Sequence, residues 1–355
     1  MRCIEFTNEP KRVRDFLSLP KKLYTKSDNM ENPSEIKQIL IGKHPLNKYF
    51  TLNKFVMYSD EDRPVARFAI TRYDGDSTAY LGFFECIDDT EVAKELFAVA
   101  ERYVKDYGCD KIIGPVDASF WIKYRLKINK FDTAPYTGEP YNRDYYLKLF
   151  QKNGYKICEH YTSNRYKAAE YKYMNAEYEG KYKEFAKKGY KIRSLKMEEY
   201  DEDIKELYRL LTSLYSDFPI YKDISEEDFI ETFKSYKTII DPTMVKFGYK
   251  NNKIVGFFIS VPNYTNKVYH LNPLNIAKIL KIRKNPDDYV MLYMGVDQEH
   301  HGLGRALVYS IIKELNVSKK PSIGALARDG KVTQNYAKDM IEDVYEYVLL
   351  EKKIK

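Results

Sequence analysis

Two closely spaced glycines, in the stretch DQEHHGLGR, are the residues of this sequence best suited to binding an anion. Gly302 and Gly304 have no side chains, so the backbone amides around them could approach a single ligand. His300, His301 and Arg305 add hydrogen-bond donors or positive charge beside them. The predicted chemistry is phosphate binding, although glycines with this spacing also occur in ordinary turns.

The elements around the glycines would place these amides at the start of a helix. An apolar and aromatic run from Tyr289 to Val296 predicts a strand, and residues 305–315 carry apolar side chains at helical spacing. The polar loop between them holds both glycines. A strand, a loop and a helix in this order would direct the amides of residues 302–305 at one anion, helped by the helix dipole.

This strand, loop and helix resemble the acyl-CoA-binding motif of the GNAT family of N-acyltransferases. The family signature, Gln/Arg-x-x-Gly-x-Gly/Ala, falls on residues 299–304, with Glu299 at the position of the usual Gln or Arg. The resemblance implies that acetyl-CoA or another acyl-CoA is bound. By this resemblance, the residues that contact its pyrophosphate are His301, Gly302, Leu303, Gly304 and Arg305. Those whose backbone pairs with the pantetheine arm are Met294, Gly295 and Val296.

The same resemblance suggests candidates for the remaining site residues. In the family, an Asn after the next strand holds the pantetheine, and a later Tyr acts as general acid. Asn335 matches the Asn, but the usual Tyr position holds another residue, so Tyr336 and Tyr345 are substitutes. Tyr293 and His300 are candidate bases, because histidine titrates near neutral pH and a hydroxyl on that strand would face the thioester. His300 could equally contact phosphate.

A repeat organises most of the chain. The two arms of one predicted hairpin recur 189 residues later, with Phe55 matching Met244 and Val65 matching Ile254. In both halves a strand, a long helix and another strand follow. The long helix of the first half would begin with Thr90 as its N-cap, in the glycine-free and acidic stretch IDDTEVAK. That stretch disfavours pyrophosphate, so we expect one cofactor site, in the second half.

The predicted fold is α/β (α+β), with two tandem GNAT-like acyltransferase domains that are each a mixed, mostly antiparallel sheet flanked by helices. Residues 1–166 would form a first domain without a phosphate loop, 167–189 a helical connector, and 190–355 the domain with the acyl-CoA-binding loop. The first domain would be structural, or would cover the site or bind the acceptor, with Glu85 a further candidate contributor.

Composition limits the other classes of protein. Hydrophobic content of 44% and charged content of 31% are typical of a soluble globular chain. The sequence has neither a long apolar run nor the apolar core of a secretory signal, so we expect a cytoplasmic protein without a membrane partner. Cysteine and histidine spacings predict reduced thiols and no metal site. The net charge of +7 is spread along the chain and does not by itself indicate nucleic acid.

The sequence therefore predicts an N-acyltransferase, most simply an N-acetyltransferase. It would move an acyl group directly from acyl-CoA to an amine of a small molecule or peptide. Two alternatives stay open at this point. One is an aminoacyl-tRNA-dependent transferase of the Fem type, which also resembles two GNAT units in tandem, and the other is a non-catalytic CoA-binding module.

Overall fold

The structure is a computed structural model that describes residues 1–169 and 175–354. The chain divides into two compact units. The first comprises Met1–Pro135, Glu139–Tyr161 and Glu346–Lys355, and the second comprises Tyr136–Gly138 and Thr162–Tyr345. Within the predicted connector, residues 170–174 lie outside the described residues. The domain boundaries drawn from the sequence remain predictions.

Strands and helices are numbered separately along the chain. The strands β1 to β9 are Arg2–Phe6, Thr51–Tyr58, Pro64–Arg72, Thr78–Cys86, Lys111–Gly114, Val116–Asp117, Lys123–Tyr124, Leu126–Lys127 and Lys156–Tyr166. The strands β10 to β15 are Lys191–Ser194, Val245–Lys250, Lys253–Pro262, Tyr289–Val296, Ser322–Arg328 and Ile341–Lys353. The helices α1 to α5 are Pro10–Ser18, Pro20–Leu23, Pro33–Leu40, Thr90–Asp106 and Tyr146–Lys152. The helices α6 to α10 are Ala176–Lys187, Tyr200–Tyr215, Glu226–Phe233, Pro273–Lys284 and Leu303–Ser318.

In the first unit, β1, β2, β3 and β4 pair antiparallel in chain order, and β5 pairs parallel with β4. The end of β15 pairs antiparallel with β5. Helix α4 buries Leu96, Ala100 and Val104 against a core that includes Phe55 and Phe68. Their spacing of four residues puts all three side chains on one face of the helix, which explains why α4 packs on the sheet.

In the second unit, β10, β11, β12 and β13 pair antiparallel in chain order, and β14 pairs parallel with β13. Helix α10 packs against β11, β12 and α6, and α7 packs against β12 and β13. The order of a hairpin, a strand, a helix and a parallel strand is therefore the same in both units. This confirms the predicted architecture of mixed, mostly antiparallel sheets flanked by helices. Among the described residues, no helix is long and apolar enough to cross a membrane.

The N-cap of α4 differs from the prediction. Asp89 is the N-cap, and Thr90 is the first residue of the helix. The Asp89 Oδ1 atom accepts hydrogen bonds from the backbone N atoms of Glu91 at 2.8 Å and Val92 at 3.2 Å. Asp and Thr are both good N-caps, so the adjacent pair in the sequence does not reveal which one acts.

Candidate active site

The parallel pairing of β13 with β14 stops part-way along both strands. The last pair is Met291 with Gly324, whereas β13 continues to Val296 and β14 continues to Arg328. In the part of the chain that the structure describes, no other strand takes the place of β14 along this edge of β13. Because backbone N–H and C=O groups require partners, the open edge can pair with a ligand that carries amide groups.

A β-bulge lies where this pairing ends. Met291 pairs with Ser260 of β12 and Tyr293 pairs with Ile259, so Leu292 is an additional residue in β13. A bulge increases the local twist of a strand and changes the direction of the side chains that follow it. The bulge thus gives a local reason for the strand to diverge from β14 here.

The residues after the bulge face opposite sides of the sheet. A Cβ atom built on Gly295 would lie 2.5 Å from a leucine side chain of α7, so Gly295 permits close packing of that helix. The ring of Tyr293 lies on the helical layer formed by α7 and α8, 6.3 Å from the ring of Phe233. The Met294 side chain lies on the α10 side, with its Cε atom 3.1 Å from the position that a Cβ at Gly304 would take.

The N-terminus of α10 has no side-chain cap. Its N-cap residue, Gly302, has a φ of 91°, a conformation that glycine adopts without strain. The Arg305 N atom donates to the Gly302 carbonyl oxygen at 3.2 Å. Among the described residues, the amides of Gly302, Leu303 and Gly304 have no such partner, and they are the donors that a helix offers to an anion. The Arg305 amide is therefore already bonded to the chain, and phosphate binding by the other three amides stays a prediction.

Tyr336 lies over this helix start. A Cβ atom at Gly304 would be 2.6 Å from the Tyr336 hydroxyl oxygen. The Tyr178 ring packs edge-on against the Tyr336 ring at 6.0 Å, and the Tyr166 hydroxyl donates to the Tyr336 carbonyl oxygen at 3.2 Å. Burial raises the pKa of the Tyr336 hydroxyl, and the charge of Arg305 opposes this rise. The hydroxyl is therefore protonated at neutral pH and can donate a hydrogen bond or a proton.

His300 lies beside Tyr190, with 2.7 Å between His300 Nδ1 and the Tyr190 hydroxyl. The two rings also meet edge-on, with centroids 5.5 Å apart. This contact orients the imidazole and leaves its Nε2 atom as the ring nitrogen that can contact a ligand or accept a proton. Asp297, Glu299 and His300 each present a ligand atom within 4.8 Å of the others, a cluster that sequence spacing did not suggest. The Asp297 carboxylate already accepts a hydrogen bond from the Glu299 backbone N at 3.0 Å.

The other predicted contacts are spread around the same loop. Arg305 forms an ion pair with Glu177 of α6, with 2.7 Å between its Nε and the carboxylate oxygen. His301 and Asn335 are exposed. Asn335 lies next to Tyr336, so the segment that carries it lies near the α10 N-terminus. All three side chains therefore lie around the start of α10, and of them Arg305 is held by a carboxylate of α6.

The structure thus brings the glycine loop, Met294 and Tyr336 together around the start of α10. It places Tyr293 on the opposite side of β13 and His300 against Tyr190. Sequence reasoning missed the tyrosines that hold this arrangement, namely Tyr166, Tyr178 and Tyr190. With 34 tyrosines in the chain, residue type alone carried no signal that could have selected them.

In the first unit, the corresponding region is filled by its own chain. Pairing between β4 and β5 ends at Tyr80, as it does in the second unit at Met291. A Cβ atom on Gly82 would lie only 1.8 Å from the Val116 carbonyl oxygen, so β6 passes directly over β4. The Asp117 carboxylate also accepts the backbone amide of Phe83. Because α4 has its own carboxylate cap as well, the places that correspond to the open edge of β13 and to the uncapped start of α10 are both occupied in this unit.

Comparison with solved structures identifies the fold. No family model matches the chain. A tandem GNAT protein from the clavulanic acid biosynthesis pathway aligns with a TM-score of 0.57 and 11% identity, covering 100% of this chain and 98% of that chain. The chain has a tandem GNAT fold. A GCN5-related N-acetyltransferase from Sphaerobacter thermophilus shares the fold, with a TM-score of 0.51 and 11% identity over 99% of this chain and 96% of that one.

Two curated proteins are similar in sequence to this chain. One is a bacterial ceramide synthase of Caulobacter vibrioides (strain NA1000 / CB15N), 23% identical over 284 residues, or 76% of this chain and 73% of that protein. The other is protein YghO of Escherichia coli (strain K12), 23% identical over 210 residues, or 58% of this chain and 53% of that protein. The first similarity extends over most of both chains, so it involves more than the loop motif.

Proposed function

We propose that this protein is an acyl-CoA-dependent N-acyltransferase with one active site, in the second unit. The observation that carries the proposal is the meeting of an open strand edge with an uncapped helix start. Met294, on the open part of β13, and Gly304, in the first turn of α10, approach so closely that a Cβ at Gly304 would be 3.1 Å from Met294 Cε. A ligand with an amide-bearing arm and a phosphate group fits both surfaces at once. The fold and the named activities of the fold's other members support the same conclusion.

Acetyl-CoA or another acyl-CoA would supply an activated acyl group and a thiol leaving group. The amides of Gly302, Leu303 and Gly304 would bind its pyrophosphate, with added charge from His301 and Arg305. The backbone of Met294, Gly295 and Val296 would pair with its pantetheine arm, and Asn335 would add a polar contact. In the first unit the equivalent amide and helix start are already occupied, which supports a single site per chain.

Side chains of the protein would then donate one proton and accept another. Attack by a neutral amine forms the N–C bond and breaks the C–S bond. Tyr336, which is protonated at neutral pH, would donate its proton to the departing sulfur. The proton lost by the amine would pass to His300 or Tyr293, directly or through water.

The acceptor is an amine, and the sequence relatives suggest which amines to test first. Ceramide, the product in the name of the Caulobacter relative, is a lipid amide. Long-chain amines therefore belong in the first screen beside small-molecule and peptide amines. Release of free thiol that depends on the amine would identify the acceptor class.

Calorimetric titration with acetyl-CoA, CoA and a long-chain acyl-CoA tests the cofactor part of the proposal. We expect one site per chain, abolished by Gly304→Glu because of steric and charge conflict with the pyrophosphate. The matched control is Thr90→Glu, which puts the same charge in the first turn of α4 and should leave binding unchanged. If both variants lost CoA equally, the single-site assignment would be wrong.

Two other outcomes would indicate a different function. If none of the three ligands bound, the acyl-CoA proposal would fail, and aminoacyl-tRNA would be the next ligand to titrate. If CoA bound but no amine in the screen accepted an acyl group, a non-catalytic CoA-binding module would be the better description.

A further inference from the structure

The second unit contains an additional segment between two of its strands. Strand β12 ends at Pro262 and β13 begins at Tyr289, whereas in the first unit β3 ends at Arg72 and β4 begins at Thr78. The longer connection contains helix α9. This segment has no role in the site described above, so its surface needs a separate explanation.

The segment exposes an unusual amount of apolar surface. Within the ten residues from 271 to 280, four large apolar side chains are exposed: Leu271 by 69%, Leu274 by 75%, Ile276 by 47% and Leu280 by 48%. Single exposed apolar residues are normal on a protein surface. Four in such a short stretch form a patch, and patches of this kind mark surfaces that bind something.

Helix α9 is apolar on two sides. Ile279 is buried and Ile282 is partly buried, and they attach the helix to its own unit. Ile276 and Leu280 are four residues apart, so they lie together on another face that points to solvent. A helix that had only to cover its own unit would carry polar residues there.

The same segment is strongly basic. From residue 242 to residue 286 the chain has no Asp or Glu. The cations between residues 266 and 286 are Lys267, Lys278, Lys281, Arg283 and Lys284. In the described part of the chain, Lys278, Lys281 and Lys284 form no ion pair. Unpaired lysines beside exposed leucines give a surface that can bind anionic lipid through both charge and apolar contact.

We propose that α9 and the turn before it bind the surface of an anionic lipid bilayer. The helix would lie in the plane of the headgroups, with Ile276 and Leu280 inserted at the acyl boundary and the lysines among the phosphates. Leu271 and Leu274 would contact lipid from the turn at the N-terminal end of the helix. A second copy of this chain is a poorer occupant, because a symmetric contact would place the same cations against each other. The proposal does not depend on the proposed function. It departs from the expectation of no membrane partner, which considered only spanning segments.

Sedimentation with lipid vesicles tests the proposal on the full chain. One set of vesicles contains phosphatidylcholine alone, and the other contains phosphatidylcholine with phosphatidylglycerol. We expect binding to the anionic vesicles and a large loss of binding at about 0.5 M salt, because salt screens the lysines. Each basic residue near such a surface strengthens binding roughly fivefold, so Lys278→Glu with Lys281→Glu should weaken it at least about 25-fold.

A second variant separates insertion from charge. Leu274→Ser with Leu280→Ser keeps every cation, changes only exposed side chains, and should also weaken vesicle binding, by about tenfold. The matched control is Val317→Ser with Lys205→Glu, which alters an exposed apolar residue and an exposed lysine elsewhere in the same unit. Binding that persisted in both α9 variants, or no binding to anionic vesicles, would overturn the proposal. A dimer that dissociated in the leucine variant would assign the patch to a second copy.

Discussion

The hydroxyl of Tyr336 occupies the space in which a side chain at position 304 would begin. A Cβ atom built on Gly304 lies 2.6 Å from the Tyr336 hydroxyl oxygen, a distance that real Cβ atoms essentially never show. Glycine at this position therefore has two roles. It leaves the helix start free of a side chain, as the proposed anion site requires, and it allows the tyrosine to lie directly over that start.

The close approach of Gly304 and Tyr336 can be measured by a double-mutant cycle. We expect Gly304→Ala to destabilise the protein by about 1–3 kcal/mol, because the new methyl group forces Tyr336 to move. In a Tyr336→Phe background the hydroxyl is gone, so the same alanine should cost much less. Chemical denaturation of the four proteins gives the coupling energy. Equal costs in both backgrounds would show that the hydroxyl does not lie there.

Tyr336→Phe alone should reduce kcat by about 10²–10⁴-fold with little change in KM, if the tyrosine is the general acid. Because burial raises its pKa, Tyr336 stays protonated up to a higher pH than an ordinary tyrosine. The wild-type protein should therefore lose no activity through this group near neutral pH. Tyr345→Phe is the control, since Tyr345 is buried and packs against Tyr136 at 6.1 Å. A Tyr336→Phe enzyme with normal kcat would mean that another group or water protonates the thiol.

His300 can be tested as a base against the simpler role of a phosphate contact. If His300 is the base, we expect His300→Ala to lower kcat with little change in KM for acyl-CoA. Tyr190→Phe, which removes the 2.7 Å contact that orients the imidazole, should lower kcat in the same direction but less. A rise in KM for acyl-CoA with unchanged kcat would instead assign His300 to phosphate binding.

A buried charge cluster in the first unit gives a test of stability. The Arg67 side chain is fully buried and forms an ion pair with Glu31, while one of its nitrogens lies 3.9 Å from a Glu85 oxygen. The hydroxyls of Tyr24 and Tyr146 donate to Glu85 at 2.9 and 2.6 Å. Glu85, a candidate contributor to catalysis from the sequence, is therefore enclosed in its own unit. Arg67→Met should cost about 3–5 kcal/mol in the free energy of unfolding, because it leaves buried carboxylates without their cation.

The same cluster predicts how stability changes with pH. Burial raises the pKa of Glu85 to about 7, although Arg67 opposes this. At a pH between the ordinary pKa of a glutamate and about 7, Glu85 carries a proton in the folded protein but has lost it in the unfolded chain. Stability is therefore greatest at a pH below the ordinary pKa of a glutamate. The free energy of unfolding falls as the pH rises to about 7, by up to about 3 kcal/mol in total.

Glu85→Gln should flatten that dependence, because the amide cannot titrate. The measurement is the free energy of unfolding of both proteins between about pH 4.5 and pH 8. Glu91→Gln, at an exposed position of α4, should keep the slope of the wild type. If Glu85→Gln kept it too, another group would be responsible.

Local patterns in the sequence were enough for most of the elements around the site. The predicted strand from Tyr289 to Val296 has the same bounds as β13, and the predicted helix at 305–315 lies within α10. Both follow from apolar periodicity and from the glycines that interrupt it, which depend only on neighbours in the chain. The order of elements in the two halves is also visible in the sequence, because each hairpin and helix has its own signal.

The contacts that turn these elements into a candidate site were decided by tertiary structure. Gly304 and Tyr336 are 32 residues apart in the sequence, and His300 and Tyr190 are 110 apart. Neither pair has a periodic signal, because each contact depends on how a helix, a loop and a strand pack together. The end of the β13 and β14 pairing at Met291 is likewise a matter of register and twist between strands. The sequence by itself therefore determined which segments form strands and helices, whereas packing decided which tyrosine lies over the helix start.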